Sequence, residues 1–273
     1  MRLTNANVLL TGGSRGIGPH IARALVARGA RVTLAARSES DLKEVANRLR
    51  GDRVAIAASD VTTPEGREAA LDAAEDAFGP VDVLVNNAGV ERVSRFADTT
   101  PSDIGGMIGL NLDATIRLSR LVLPGMLERR SGQIVNISSL AGKAAAPFNV
   151  VYSATKWGLV GFSYSLRAEL RGSGVGVSVV CPGYVERDGM FSRHAVTDVR
   201  RVSGTLTTPE KVAAAVVKAI ERNKAEVVVS GALPKLADVS FALSPDLSIA
   251  TAYRVGGYEP FRREVEGSDA TRA

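Results

Sequence analysis

The chain contains one cysteine, Cys181, among its 273 residues, which excludes an internal disulfide and a cysteine metal cluster. Histidine is almost as scarce. His20 and His194 stand far apart without zinc-type spacing, so no metal site is expected. No apolar run reaches the roughly 18 residues needed to span a bilayer. Met1–Leu10 lacks the layout of a secretory leader, because β-like residues run straight into a glycine turn, and a cytoplasmic location is the expectation. A basic stripe interleaved with aromatics is missing too. The net charge of +5 comes from scattered Lys and Arg, with short pairs at Arg129-Arg130, Arg200-Arg201 and Arg262-Arg263. That pattern speaks against nucleic acid and suits small anionic molecules. Core material is ordinary: 45% hydrophobic residues support a globular α/β chain of one large domain or two small ones.

Apolar runs and helical patterns alternate along the chain. Asn7–Leu10 reads as a strand ending at Thr11-Gly12-Gly13-Ser14-Arg15-Gly16-Ile17-Gly18, and a helix follows. Such glycines permit a tight turn and close approach of a pyrophosphate to the helix N-terminus. The second strand, Arg31–Ala36, ends at Arg37 instead of the carboxylate that would bind ribose hydroxyls. Arg37 and Arg15 together suit a 2′-phosphate, which selects NADP over NAD; the alternative is two surface arginines at loop ends. Further strands are read at Val54–Ala58 (leading to Asp60-Val61), Val81–Val85 (to Asn86-Asn87-Ala88-Gly89) and Gln133–Ile137 (to Ser138-Ser139). Two more follow, Val175–Val180 (to Cys181-Pro182-Gly183) and Glu226–Val229. Thr63-Pro64 and Thr208-Pro209 carry the N-cap and Pro-at-N1 signature of helix starts. A helical region opens at Thr100-Pro101, contains Asn111 and reaches about Arg130. Seven strands alternating with helices predict a doubly wound, mostly parallel Rossmann-like sheet, in which ligands bind at the carboxyl ends of strands. The motifs just named all lie there or on an adjacent helix.

One helix stands out. Tyr152 and Lys156 are four residues apart on it, hence neighbours on one face. A cation held beside a phenol favours the phenolate and makes it a proton donor and acceptor near pH 7. By itself the spacing arises by chance on many solvated helices. Outside the regular alternation, Glu186–Thr207 reads as a mobile loop over the site. Past residue 231 comes an extension, partly helical or irregular, with an apolar patch (Leu236, Val239, Phe241, Leu243, Leu247, Ile249). Capping the pocket, packing on a partner and touching a membrane surface all suit that patch, with packing the simplest. Glu266–Ala273 is expected to be disordered.

The glycine turn, Asn86–Gly89, Ser139, Tyr152-x-x-x-Lys156 and Pro182-Gly183 together resemble the short-chain dehydrogenase/reductase family over about residues 5–231. The single-domain branch, and 3-oxoacyl-thioester reductases in particular (Pro182-Gly-Tyr-Val-Glu186), are the nearest in look. The resemblance implies that Tyr152 exchanges a proton with the substrate oxygen. It implies that Lys156 lowers the tyrosine pKa and binds the nicotinamide ribose. Ser139 instead of Ser138 would orient the carbonyl, and Asn111 would support a proton relay, unless it is only a packing residue. Cofactor contacts are implied at Gly12, Ser14, Arg15, Gly16, Ile17 and Gly18. Arg37, Asp60, Val61, Asn87, Ala88 and Gly89 add to them, with Tyr152, Lys156, Pro182, Gly183 and Val185 at the nicotinamide end. Arg187 stands where the family often has a cofactor-contacting Thr. An NADPH-dependent carbonyl reductase, or the reverse alcohol dehydrogenase, is the activity implied, on a small and fairly apolar substrate. A 3-oxoacyl-thioester reductase and a non-catalytic NADPH-binding sensor are the alternatives. A homodimer or homotetramer built through the helices around Asn111 and Tyr152 is expected.

Overall fold

Val- and Leu-rich runs buried on both faces form the strands, and they pair in parallel because each is followed by a crossover helix. The structure is a computed structural model. It describes residues 1–49, 51–186, 205–230, 241–254, 256 and 258–270. The first half contains β1 (Asn7–Thr11), α1 (Gly18–Ala27), β2 (Arg31–Ala36), α2 (Glu39–Arg48), β3 (Val54–Ala58), α3 (Pro64–Phe78) and β4 (Val83–Asn86). Next come α4 (Pro101–Ile108), α5 (Ala114–Glu128), β5 (Gly132–Ile137), α6 (Val150–Glu169) and β6 (Val175–Pro182). A two-residue pair follows, β7 (Tyr184–Val185) against β8 (Leu206–Thr207), then α7 (Pro209–Arg222), β9 (Glu226–Val229), α8 (Pro245–Arg254) and α9 (Glu259–Ala270).

The main sheet has seven parallel strands in the order β3-β2-β1-β4-β5-β6-β9, as the alternation predicts. Its order reverses between β1 and β4, and the crevice above that switch point is where a ligand fits. Alternate residues of β1 serve the two helical layers. Val8 and Leu10 pack with α1 and α7, through Ile21, Leu25, Val216 and Ile220. Leu9 faces the other side, with Ala70 and Ala74 of α3 and Leu118 and Met126 of α5. The expected caps are present: Thr63 accepts from the Gly66 N–H and Thr208 from the Lys211 N–H. Among the described residues no helix is long and apolar enough to cross a membrane.

Two features depart from the sequence reading. The helical region after Pro101 is interrupted by a π-helical turn at Gly109–Asp113, which holds Asn111. Residues 266–270, expected to be disordered, are the last turns of α9. Buried Phe261 and Val265 anchor that helix to the body, and Arg262 Nε lies 3.7 Å from a Glu266 carboxylate oxygen. The outer faces of α5 and α6 leave Ile116, Leu127, Trp157 and Tyr164 exposed. Arg187, most of the loop after Glu186, His194, Arg200-Arg201, Leu236, Val239 and residues 271–273 lie outside the described residues.

Candidate active site

The site begins where β1 and β4 end side by side. The Thr11 hydroxyl accepts the N–H groups of Asn87 and Ala88, both at 3.0 Å. In return the Asn87 amide donates to the carbonyls of Thr11 and Gly12 at 3.0 and 3.1 Å. Gly12 takes a left-handed φ of 65°, open to glycine at little cost. A Cβ on Gly18 would stand 2.1 Å from the Gly12 carbonyl oxygen, so only glycine lets α1 start this close beneath the turn. The first turn of α1 has neither a side-chain cap nor an acidic residue. The Gly18 N–H donates to the Arg15 carbonyl at 3.2 Å and Pro19 has no N–H, so what this end offers an anion is chiefly the positive end of the helix dipole.

At the far end of this crevice β2 delivers Arg37, an exposed residue near Asp60. Burial pushes the Asp60 carboxyl up, but hydrogen bonds from Thr62, with a smaller contribution from the Arg37 charge, hold it low. Arg15 also faces the crevice, but it is paired: its Nε and Nη2 both lie 2.6 Å from Asp41 Oδ2. With 65% of the arginine side chain exposed, the pair is a weak one that a phosphate dianion can displace. Ser38 caps α2 at the same place, accepting from the Asp41 N–H.

At the other end α6 presents Tyr152 and Lys156, 6% and 3% exposed. The Lys156 Nζ lies 5.4 Å from the centroid of the Tyr152 ring and donates to the Ile137 carbonyl at 2.9 Å. The Ser139 hydroxyl hydrogen-bonds Tyr152, whereas Ser138 turns away and donates to the Lys156 carbonyl at 2.9 Å. Burial pushes the Tyr152 phenol far up and the Glu91 charge adds to it, with Ser139 pulling the other way. Burial likewise pushes Lys156 down to about 8, against the opposing charges of Glu91 and Cys181. The expectation that Lys156 brings the phenol toward neutrality is thus not met by the protein alone. Both groups sit in the same low-dielectric wall, and desolvation is the largest cause of each shift.

Asn111 does not reach the cavity. It is fully buried and clamps Val90, accepting from its N–H and donating to its carbonyl, both at 2.8 Å. A third contact runs to Thr155 Oγ1 at 3.2 Å, and a Cβ on Gly89 would lie 3.3 Å from Asn111 and 3.7 Å from Lys156. Asn111 therefore stands directly behind the wall that holds Lys156, and π-helical turns recur at functional sites.

A single cavity of about 650 Å³ joins the two ends. Gly12, Ser14, Arg15, Gly16 and Ile17 line it from the turn, and Arg37, Asp60 and Val61 from β2 and β3. Asn87, Ala88 and Gly89 follow β4, and Ser139, Tyr152, Lys156, Pro182, Gly183 and Val185 complete it. Of the residues picked from sequence, only Gly18 and Asn111 lie behind the wall. Among the described residues Ser59 Oγ and Asn87 Oδ1, buried in this lining, find no hydrogen-bond partner, so the cavity offers unmet polar groups where a dinucleotide would run. The residues present fit that cofactor.

The structure also places in the wall residues that no sequence feature selects. Glu91, two positions past Gly89, is held by the Asn149 amide. Tyr258 and Phe261 come from the C-terminal extension, Phe261 with its ring 5.8 Å from that of Tyr184. No local motif marks any of them; only the apolar character of the extension hinted at a cap.

The family model described as short chain dehydrogenase matches residues 6–198. The chain belongs to that family. It is an oxidoreductase. This dehydrogenase is 42% identical over 269 residues to the ketoacyl reductase HetN of Nostoc sp., covering 96% of its own length and 93% of that protein. It is 38% identical over 223 residues to the 3-oxoacyl-[acyl-carrier-protein] reductase FabG of Vibrio cholerae, covering 79% and 90%. A crystal structure of a metagenomic short-chain oxidoreductase in complex with NADP superimposes with a TM-score of 0.69 at 33% identity, covering 84% of this dehydrogenase and 98% of the other chain.

Proposed function

We propose that this dehydrogenase interconverts a ketone or aldehyde and its alcohol with NADP(H), using Tyr152 as the proton donor and acceptor. The observation that carries this reading is one cavity with Ser139, Tyr152 and Lys156 at one end and Arg37 at the other. The bound nicotinamide supplies the hydride. Ser139 and Tyr152 hold the carbonyl oxygen by hydrogen bonds, and Tyr152 passes its proton to the oxygen as charge develops there. Lys156 stabilises the phenolate left behind and donates toward the ribose. Asn111 positions the wall through Val90 and Thr155. The 3-oxoacyl-thioester reading stays with it as a substrate choice, supported by the relatives named above.

The test is NADPH oxidation against ketones, aldehydes, quinones and 3-oxoacyl thioesters. Turnover of one class supports the reading. NADPH binding with no turnover in either direction would leave a nucleotide sensor instead.

Arg37 reads the 2′-phosphate more strongly than Arg15, which Asp41 already holds. Arg37→Asp is expected to weaken NADPH by about ten- to a hundredfold, the worth of a lost charge-assisted contact, with little effect on NADH. Equal losses in a fluorescence titration of both nucleotides would remove Arg37 from that role.

A pH profile follows from Lys156. Its folded value of about 8 lies below its ordinary one, so it stays charged at pH 7 and loses its proton as pH rises through 8. Tyr152, pushed up, remains protonated throughout that range. The kcat/KM for carbonyl reduction should therefore fall with an alkaline midpoint near 8. A midpoint beyond about 10 would assign the limb to the phenol instead. The sign for stability is opposite. Between about 8 and the unperturbed lysine value the unfolded chain holds the extra proton, so folding stability gains with pH there.

A further inference from the structure

Among the described residues two carboxylates line the cavity, Asp60 at the nucleotide end and Glu91 at the catalytic end. Glu91 is half-buried and fixed from two sides. Asn111 grips the adjacent Val90 by its N–H and its carbonyl, both at 2.8 Å. From the start of α6 the Asn149 amide, buried one turn before Tyr152, donates to the Glu91 carboxylate. Asn149 follows Phe148, whose φ of 62° is a left-handed conformation that a bulky side chain rarely adopts. Such strain persists where neighbours over-determine it, and here the Ser94 N–H donates to the Phe148 carbonyl at 2.8 Å. The nearby cations have other partners. Arg92 turns outward, 3.4 Å from Asp103, with 62% of its side chain exposed. Lys143 Nζ lies 3.2 Å from Glu226, and Lys156 donates to the Ile137 carbonyl at 2.9 Å. The Glu91 charge reaches both Tyr152 and Lys156, so a substituent next to a carbonyl held at Tyr152 enters the same field.

We propose that Glu91, held by Asn149, selects the charge of the substrate, turning away carbonyl compounds that carry a carboxylate beside the reacting carbon and admitting their neutral counterparts. An anion brought against a fixed carboxylate in a half-buried wall meets a like charge that water screens poorly. A neutral amide, ester or thioester at the same place meets no such opposition, and an N–H on it finds an acceptor. The substrate class is thus the neutral oxo acyl derivative and not the free oxo acid. The proposal rests on the reductase reading for the position of the carbonyl.

The test uses the full chain and two probes of one size that differ in charge, acetoacetamide and acetoacetate. Binding to the NADP⁺ complex is titrated by saturation-transfer NMR, and kcat/KM is taken from NADPH oxidation. The amide should be preferred at least about tenfold on both measures. Glu91→Gln keeps an oxygen for the Asn149 amide and removes only the charge. It should cut the preference by about tenfold, through a gain for acetoacetate. Its effects through Tyr152 and Lys156 touch both probes alike and cancel in the ratio. Glu91→Asp, which keeps the charge, should retain most of the preference. If Glu91→Gln does not fold, Glu91→Ala is read by the same ratio. An unchanged preference in the charge-free variant would overturn the proposal, as would a wild type that takes both probes equally or binds neither. An equal fall for both probes would also overturn it, leaving Glu91 as a brace for the turn before α6. A charge preference in binding without NADPH oxidation would leave the selection standing and reject the reductase reading. Oxidation of NADPH with both probes at equal efficiency would do the reverse.

Discussion

Tyr152→Phe is expected to reduce kcat for carbonyl reduction by about a hundred- to ten-thousandfold, the range a positioned general acid contributes. The ring is buried against Met107 and Val151 in a small cluster of its own, and phenylalanine fills the same space. Only the hydroxyl is removed, together with its bond to Ser139. Losing one such bond changes stability by about 1 kcal/mol, so the variant should fold and bind NADPH as the parent does. Single-turnover kinetics at saturating NADPH separate the two effects. A loss under about tenfold would mean that water supplies the proton and that Tyr152 merely shapes the wall. Ser139→Ala in the same assay should fall between, because one of two hydrogen bonds to the carbonyl oxygen persists.

Gly18→Ala carries the second large effect, on binding and stability alike. The new Cβ would stand 2.1 Å from the Gly12 carbonyl oxygen and 3.0 Å from the Gly13 Cα. Both obstacles are backbone and neither can swing aside, so the turn must open or α1 must withdraw from it. Overpacking of this kind costs about 1–3 kcal/mol, which for a chain of this size lowers Tm by several degrees. The displaced turn also forfeits the fit between pyrophosphate and the uncapped α1 N-terminus, and NADPH affinity should fall with Tm. An alanine variant that keeps its Tm within about a degree and its NADPH affinity unchanged would show that the turn has slack.

Much of the site was readable from sequence because a parallel sheet converts order along the chain into position. Each strand ends on the same edge, so Gly12, Arg37, Asp60, Asn87, Ser139 and Gly183 had to converge once seven strands were identified. What sequence could not supply was dielectric and distance. Spacing alone brings Lys156 beside Tyr152; burial then decides which way both pKa values move, and it moves the phenol opposite to the simple expectation. The π-helical turn around Asn111 was hidden for a related reason. Apolar periodicity continues through Gly109–Asp113, and one extra residue per turn leaves no compositional mark. Tyr258 and Phe261 reach the cavity from more than a hundred residues beyond Tyr152, in a segment with no motif to place it. Glu91 follows a recognised stretch, but its effect on Tyr152 and Lys156 depends on α6 packing against it.

The polar latch between Thr11 and Asn87 joins residues 76 positions apart in the chain. The residues between them comprise the whole β2–β3 side of the sheet, and β1 cannot meet β4 in register until they have been looped out. Ordering such a loop is the slow, entropy-limited part of assembling a parallel sheet. The nucleotide crevice is consequently a late product of folding, absent from any intermediate in which only neighbouring elements have paired. Nucleotide in a refolding mixture then acts as a trap for finished molecules and not as a nucleus, lowering the escape of native protein without hastening its arrival.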